Sequence, residues 1–445
     1  METVLFKTLG CKLNQIETES LAQAFSEAGF RVYGAEETED ESSMGMDPAL
    51  CIVNTCTVTG KAEQKARRLI RLLLRSWPST TVLVTGCYAE VEEHAISAID
   101  PRVLVLPGKR KNELASLPSF INTALLTRGN ADIATIVHQF IQDTHHEAGA
   151  FRLSTDNFRF HSRASIKIQD GCNNRCAYCR ICLARGASVS LPADEVISRI
   201  KEIEQANWAE VVLTGVNLSQ YRSGEGDFAQ LLSSILAQTK HIAIRISSLY
   251  PDRVDSELVP LLNNPRIRPH FHLSVQSGSE KILSAMRRPY HNDQVLEAVH
   301  QLRLVKDDPF IACDIITGFP GETDEDFDQT LQLCLKAHFA WIHAFPFSPR
   351  PGTEAWTMGN RVPERIAGDR VKVLTDLAHA NLDAYSLRWI GKTVKAVIEK
   401  SSGQHQGQAL TENYLTVSLD ELCPPRGTSV VVELIDVGKA RLIPQ

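Results

Sequence analysis

Two hydrophobic rhythms alternate along this chain. Thr3–Thr8 reads as a strand, and Gln15–Gly29 carries Ile16, Leu21, Ala24 and Phe25 at roughly helical intervals. Ala49–Thr55 and Thr81–Thr85 are short apolar, β-branched runs of the kind that fill buried strands. This order predicts a parallel sheet covered by helices over residues 1–135. From about Ala131 to Phe160 the period weakens and His, Asp, Thr and Ser accumulate, so a connector is expected over 136–160. The alternation returns over 161–388. Strands are expected at Ala164–Ile168, Glu210–Thr214, Ile242–Ile246, His270–Val275, Phe310–Thr317 and Trp341–Phe345, with helices clearest at Ala193–Ala206, Asn292–Leu304 and Asp324–His338. Six strand–helix units predict a full or partial parallel barrel with its site at the carboxyl ends of the strands. From residue 389 onward Thr393–Ile398, Tyr414–Leu419 and Ser429–Leu434 alternate with period two, as in a small all-β domain.

Composition narrows the class. With 445 residues, 43% apolar and 22% charged, the chain is ordinary for a globular protein of two or three domains, which excludes a disordered or collagen-like chain. A net charge of −6 excludes a molecule coated in positive charge, though not a local basic patch. The opening METVLFKTLG places an acid at its second residue and has no long apolar core, so no secretory leader is expected. No run approaches the roughly 18 apolar residues that span a bilayer, so no membrane partner and a cytoplasmic setting are expected. Eleven cysteines in such a setting suit metal binding or reaction better than disulfides.

Their spacing carries the chemistry. Cys172, Cys176 and Cys179 form C-x3-C-x2-C directly after the first expected barrel strand. Three thiolates in so short a loop can hold one face of an iron–sulfur cube and leave its fourth iron open. The rival is a zinc loop, which normally asks for paired C-x2-C knuckles and a fourth ligand. Cys182 extends the series and keeps its own role open. Cys11, Cys56 and Cys87 each follow an expected parallel strand, so three distant residues can meet along one sheet edge. Cys51 lies inside its strand, and with Cys313, Cys334 and Cys423 reads as an ordinary thiol.

The triad Cys172, Cys176 and Cys179 resembles the signature of radical S-adenosylmethionine (SAM) enzymes. More widely, the chain resembles the methylthiotransferases. FKTLGCKLNQ around Cys11, VNTCTVT around Cys56 and VTGCYA around Cys87 match that family's three further cluster cysteines. The resemblance implies a flavodoxin-like parallel α/β domain, a central partial (β/α)6 radical SAM barrel and a C-terminal TRAM barrel over 389–445. It implies two [4Fe–4S] clusters, one of which binds SAM and yields a radical, while the other presents sulfur. Strings at strand ends match its SAM barrel and nominate Tyr178, Gly215, Asn217, Ser247, Ser248, Gln276, Ser277, Asp314 and Gly318 as cofactor contacts. No catalytic residue beyond the two clusters is expected.

Short strings such as FKTLGCKLNQIETES and Met286-Arg-Arg are most similar to the MtaB-type branch, which acts on N6-threonylcarbamoyladenosine at tRNA position 37. The other branches act on isopentenyladenosine in tRNA or on a ribosomal-protein aspartate. A different class, a metal-stabilised RNA-binding protein without activity, is the remaining alternative. Tyr250 stands where the branch commonly has an acidic residue, and Cys182-Leu183 replaces a usual proline–aromatic pair. The expected partners are the tRNA anticodon loop, an electron donor and a sulfur or iron–sulfur supply system. Lys65, Arg67, Arg68, Arg71 and Arg75, with Lys61, cover one face of an amphipathic helix at 61–77 and are expected to track phosphates. Asn413 and Tyr414, in the stretch resembling a TRAM domain, are the other expected RNA contacts. Charges from residue 391 on balance, so recognition there would need placed side chains.

Overall fold

The computed structural model describes residues 2–34, 47–128, 132–143, 151–155, 158–402 and 406–443. Its chain divides into two compact units. The first comprises residues 1–160, 170–174 and 179–189; the second comprises 161–169, 175–178 and 190–445.

The first unit is built on strands β1 (Thr3–Thr8), β2 (Arg31–Tyr33), β3 (Leu50–Thr55), β4 (Thr81–Gly86) and β5 (Val103–Val105). They pair entirely in parallel in the order β2-β1-β3-β4-β5, the doubly wound order of flavodoxin-like folds. Every residue of β3 and β4 is buried, as expected for central strands covered on both faces. Phe6, Ile52 and Leu83 pack on one face with Leu21 and Phe25 of α1 (Lys12–Glu27). Leu5, Val53 and Val84 pack on the other with Ala66, Ile70 and Leu73 of α2 (Gly60–Ser76). Residues 136–143 were expected in a connector but end the helix Ile133–Asp143. Its Ile136, Val137 and Phe140 lie in the first face's core, so the weak apolar period there is a packed helix.

Six further parallel strands, β6 (Ala164–Lys167), β9 (Glu210–Thr214), β10 (Ala243–Ile246), β11 (His270–Gln276), β12 (Phe310–Thr317) and β13 (Trp341–Pro346), curve through the second unit in chain order; the two-residue strands β7 (Gln169–Asp170) and β8 (Val189–Ser190) come between β6 and β9 in sequence but are not part of this sheet. The pairings β6–β9–β10 and β11–β12–β13 are joined by bridges Ile244↔Ile267 and Leu249↔Leu273, giving the partial six-stranded barrel that the rhythm predicts.

Strands β14 (Thr393–Ser402), β15 (Gln406–Thr411), β16 (Thr416–Leu419), β17 (Ser429–Asp436) and β18 (Lys439–Leu442) close a barrel in the order β14-β15-β16-β18-β17. Its core is continuous with Phe310 and Ala312 of β12 and with Tyr385. Beneath the six-stranded barrel, Glu210 is 1% exposed and bonds Arg245 (2.8 Å) and Arg268 (3.0 Å). Arg245 also donates to the Glu412 carbonyl, and Arg268 pairs with the Glu412 carboxylate at 3.0 Å. Burial alone would raise the Glu210 carboxyl, but Arg245, Arg268 and Arg163 overcome it and hold the group well below the usual carboxylate range.

Candidate functional site

Cys11, Cys56 and Cys87 follow β1, β3 and β4, three adjacent strands. The order reverses between β1 and β3, where doubly wound sheets open the crevice that takes a ligand. Gly10, at φ +111°, brings the backbone so close that a Cβ there would lie 2.6 Å from the Cys56 Cβ and 3.0 Å from its Sγ. Asn14 of α1 locks the two loops, donating to the Leu9 and Thr55 carbonyls at 2.8 and 3.0 Å. Burial pushes the Cys56 thiol up to about 11; a backbone hydrogen bond from Val58 opposes this, and Cys87 and Cys11 push it further. Burial likewise raises Cys87, against the charges of Arg185 and Lys111.

An arginine far along the chain completes this site. Arg185 follows the C-x3-C-x2-C loop, and its Nε donates to the Cys87 Sγ at 3.3 Å. Its Nη1 bonds Asp170 (2.9 Å) and Glu17 (3.1 Å), and its Nη2 donates to Asn14 Oδ1 at 2.6 Å. Lys111 meets Glu17 at 2.6 Å. Among the described residues, these ion pairs join two cations to two carboxylates beside the thiols. Sequence reading missed Arg185 and Lys111, because nothing local links them to Cys87.

Among the described residues, no group of three or more His, Cys, Asp or Glu side chains is arranged to hold a single metal ion. A cluster asks for something else, one thiolate for each of several irons, so its ligands need not converge on a point. The Cys11, Cys56 and Cys87 set fits that demand: soft donors only, mutually sensed charges, a backbone cradle at Gly10 and an N–H aimed at sulfur.

In the C-x3-C-x2-C loop, the Cys172 amide donates to the Gly186 carbonyl at 3.1 Å. Gly171 before it takes φ +69°, and a Cβ there would strike the Ala187 carbonyl oxygen. Cys182 turns its thiol toward the Cys179 carbonyl at 4.0 Å. In the second unit, the Ala177 amide donates to the Met286 carbonyl, and the half-buried Tyr178 meets Phe319 edge-on. Cys176 is nearly buried and accepts from Arg288 Nη1 at 3.3 Å. Among the described residues no cysteine is in a disulfide, and Cys51, Cys313 and Cys334 are buried within the fold.

The nominated cofactor residues fall into two groups. Ser247 follows β10 with its hydroxyl buried and, among the described residues, without a hydrogen-bond partner, as expected of a group awaiting a ligand. Gly215 lies against the Gln169 side chain, whose Oε1 accepts from the Asn217 amide at 2.8 Å. Gln276 ends β11 at φ +69°. Ser248 and Asp314 are joined through His272, whose Nδ1 meets Ser248 Oγ at 3.1 Å and whose Nε2 meets Asp314 Oδ1 at 3.2 Å. Since a carboxylate only accepts, His272 Nε2 carries the proton in that contact. Ser277 and Gly318 make structural contacts in the fold: Ser277 caps the turn into Ser279, and the Gly318 amide donates to Glu322 at 2.8 Å.

The RNA expectations divide too. On α2, Lys65, Arg68, Arg71 and Arg75 are exposed, whereas Arg67 is half-buried and donates to the Tyr88 hydroxyl at 2.6 Å. Asn413 faces inward: it is 0% exposed and donates to the Tyr385 hydroxyl at 3.2 Å. Tyr414 stacks on His270 at 3.7 Å with Arg245 against its ring. The buried Asn413 is thus committed to joining the small barrel to the larger one, which corrects its reading as an RNA contact, whereas Tyr414 on the same seam is only half-buried. No helix among the described residues is long and apolar enough to cross a membrane.

Comparison with known proteins agrees with this architecture. Residues 166–334 match the radical SAM superfamily, and residues 3–108 match the uncharacterized protein family UPF0004. The threonylcarbamoyladenosine tRNA methylthiotransferase MtaB of Treponema pallidum is 46% identical over 95% of both chains. The protein of that name from Bacillus subtilis is 32% identical over 98% of this chain and 95% of its own. A tRNA-2-methylthio-N(6)-dimethylallyladenosine synthase of Methylacidiphilum infernorum is 27% identical over 98% of this chain and 93% of its own. Among solved structures, the radical S-adenosylmethionine methyltransferase TsrM from Kitasatospora setae shares the fold, with a TM-score of 0.55 at 15% identity over 80% of this chain and 77% of that one.

Proposed function

The chain belongs to the MtaB family of threonylcarbamoyladenosine tRNA methylthiotransferases, and on that premise we propose that it converts N6-threonylcarbamoyladenosine at tRNA position 37 to its 2-methylthio derivative. The observation that carries this reading is the coexistence, in one chain, of the C-x3-C-x2-C loop with three thiols at the carboxyl ends of adjacent strands flanking a topological switch point. Cys172, Cys176 and Cys179 would hold one [4Fe–4S] cluster and Cys11, Cys56 and Cys87 another; with SAM they would supply the radical that takes hydrogen from adenine C2 and the sulfur that replaces it.

The chain's own residues bind and orient. Ser247, at the mouth of the barrel, offers the amino-acid or ribose part of SAM a hydroxyl with no hydrogen-bond partner among the described residues. Ser248, His272 and Asp314 form a hydrogen-bonded row that fixes the imidazole. The exposed cations of α2 would meet tRNA phosphates, so the anticodon loop can deliver a base that has left its stack. A one-electron donor and a sulfur supply are the further partners this reading requires, and its tRNA substrate belongs to the cytoplasm.

Anaerobic reconstitution tests the reading. About eight irons per chain and reductive cleavage of SAM are expected from two cubes. Replacing Cys172, Cys176 and Cys179 by Ala should abolish the cleavage. A colourless protein that takes up only zinc would overturn it in favour of a metal-stabilised binding protein.

A further inference from the structure

Each cysteine set has an arginine on one sulfur, and the two arginines differ in what neutralises them. Beside Cys87, Arg185 bonds Glu17 and Asp170, while Lys111 bonds Glu17, so two positive charges meet two negative ones. Beside Cys176, the hydrogen-bond partners of Arg288 are all neutral, although Asp252 lies near enough to feel its charge. Its Nε donates to the Tyr290 hydroxyl (2.8 Å), Nη1 to the Tyr250 hydroxyl (3.0 Å) and the Cys176 Sγ (3.3 Å), and Nη2 to the Ser274 carbonyl (3.2 Å). Its guanidinium lies 4.4 and 4.9 Å from the Tyr250 and Tyr290 ring centres. Among the described residues no carboxylate forms an ion pair with it, and the neighbouring Asp252 is paired with Arg253.

An iron–sulfur cluster gains negative charge when it takes up an electron. A fixed, uncompensated cation on a ligand sulfur favours that uptake, whereas a balanced group of charges leaves it little changed. We propose that Arg288, held charged between Tyr250 and Tyr290, directs the first electron to the cluster of Cys172, Cys176 and Cys179, while Glu17 and Asp170 cancel the same influence of Arg185 and Lys111 on the cluster of Cys11, Cys56 and Cys87. The step is a one-electron reduction: the donor, a reduced flavin or iron–sulfur protein in the cell and dithionite in the test, is oxidised by one electron and the cluster reduced by one. Tyr250 has a part in this because a carboxylate at its position would neutralise the guanidinium. The inference rests on the proposed function, in that both cysteine sets must hold clusters.

The test is an EPR-monitored redox titration of the full chain, reconstituted without SAM, with each cluster isolated by replacing the other three cysteines with Ala. The Cys172, Cys176 and Cys179 cluster should have the higher midpoint. In that background Arg288→Gln should lower it, cutting the reduced-to-oxidised ratio at a fixed potential by at least roughly tenfold. Arg288→Lys should restore most of the loss. Tyr250→Glu, which keeps the arginine, should shift the midpoint in the same direction as Arg288→Gln. An unmoved midpoint in Arg288→Gln and Tyr250→Glu, or a lower midpoint for this cluster than for the other, would overturn the proposal while leaving the enzyme reading intact. Failure of the unsubstituted chain to take up either cluster would overturn both.

Discussion

Arg185 donates from Nε to the sulfur of Cys87 at 3.3 Å, across 98 residues of sequence. The side chain is 3% exposed and holds two carboxylates, so removing it strands buried charge. Arg185→Ala should therefore destabilise the chain by about 3–5 kcal/mol, read from urea denaturation of the metal-free protein. Arg185→Lys should recover part of that stability without restoring the planar fork that reaches Asn14, Glu17 and Asp170 together.

Glu210 offers a pH-dependent test. Its carboxyl lies below the unfolded value of about 4.3, so between the folded and unfolded values the unfolded chain binds the extra proton. The stabilisation is complete above that window and is lost as pH falls through it. Glu210→Gln should flatten the acid limb of the stability curve, and at neutral pH should cost about 3–5 kcal/mol because Arg245 and Arg268 lose a buried partner. Chemical denaturation at several pH values measures both effects.

Much of this molecule was legible in its sequence, and the failures share a cause. Buried parallel strands such as Leu50–Thr55 and Phe310–Thr317 announce themselves because nearly every position is apolar or β-branched. Arg31–Tyr33 is a three-residue edge strand and Gln406–Thr411 is polar and glycine-bearing, so neither gives a period. The cysteines stood out by spacing, whereas the arginines on their sulfurs did not: Arg288 lies 112 residues from Cys176. Asn413 reads as a recognition residue because its inward partner, Tyr385, comes from a distant element.

Asn413 gives a contrast with α2. Asn413→Ala should lower thermal stability by a few degrees, consistent with losing about 1–3 kcal/mol of buried hydrogen bonding, and leave tRNA affinity unchanged. Replacing Lys65, Arg68, Arg71 and Arg75 by Gln should leave stability nearly unchanged, weaken tRNA binding and reduce the log–log salt slope by up to about 0.7–0.9 per contact removed. Melting curves and fluorescence anisotropy over a salt series separate the two.

Gly10→Ala places a methyl against Cys56 at a backbone angle that alanine adopts poorly. The substitution should cost about 1–3 kcal/mol and should halve the iron content, from two clusters to one, while SAM cleavage persists. Iron analysis and a cleavage assay on the same preparation give the answer.

The central claim is tested most directly by mass analysis of nucleosides after incubating the reconstituted protein with SAM, a reductant and tRNA that carries threonylcarbamoyladenosine at position 37. Conversion to 2-methylthio-N6-threonylcarbamoyladenosine is expected, with no product on tRNA carrying isopentenyladenosine. An unchanged threonylcarbamoyl nucleoside in a preparation that cleaves SAM, or conversion of the isopentenyl tRNA alone, would contradict it.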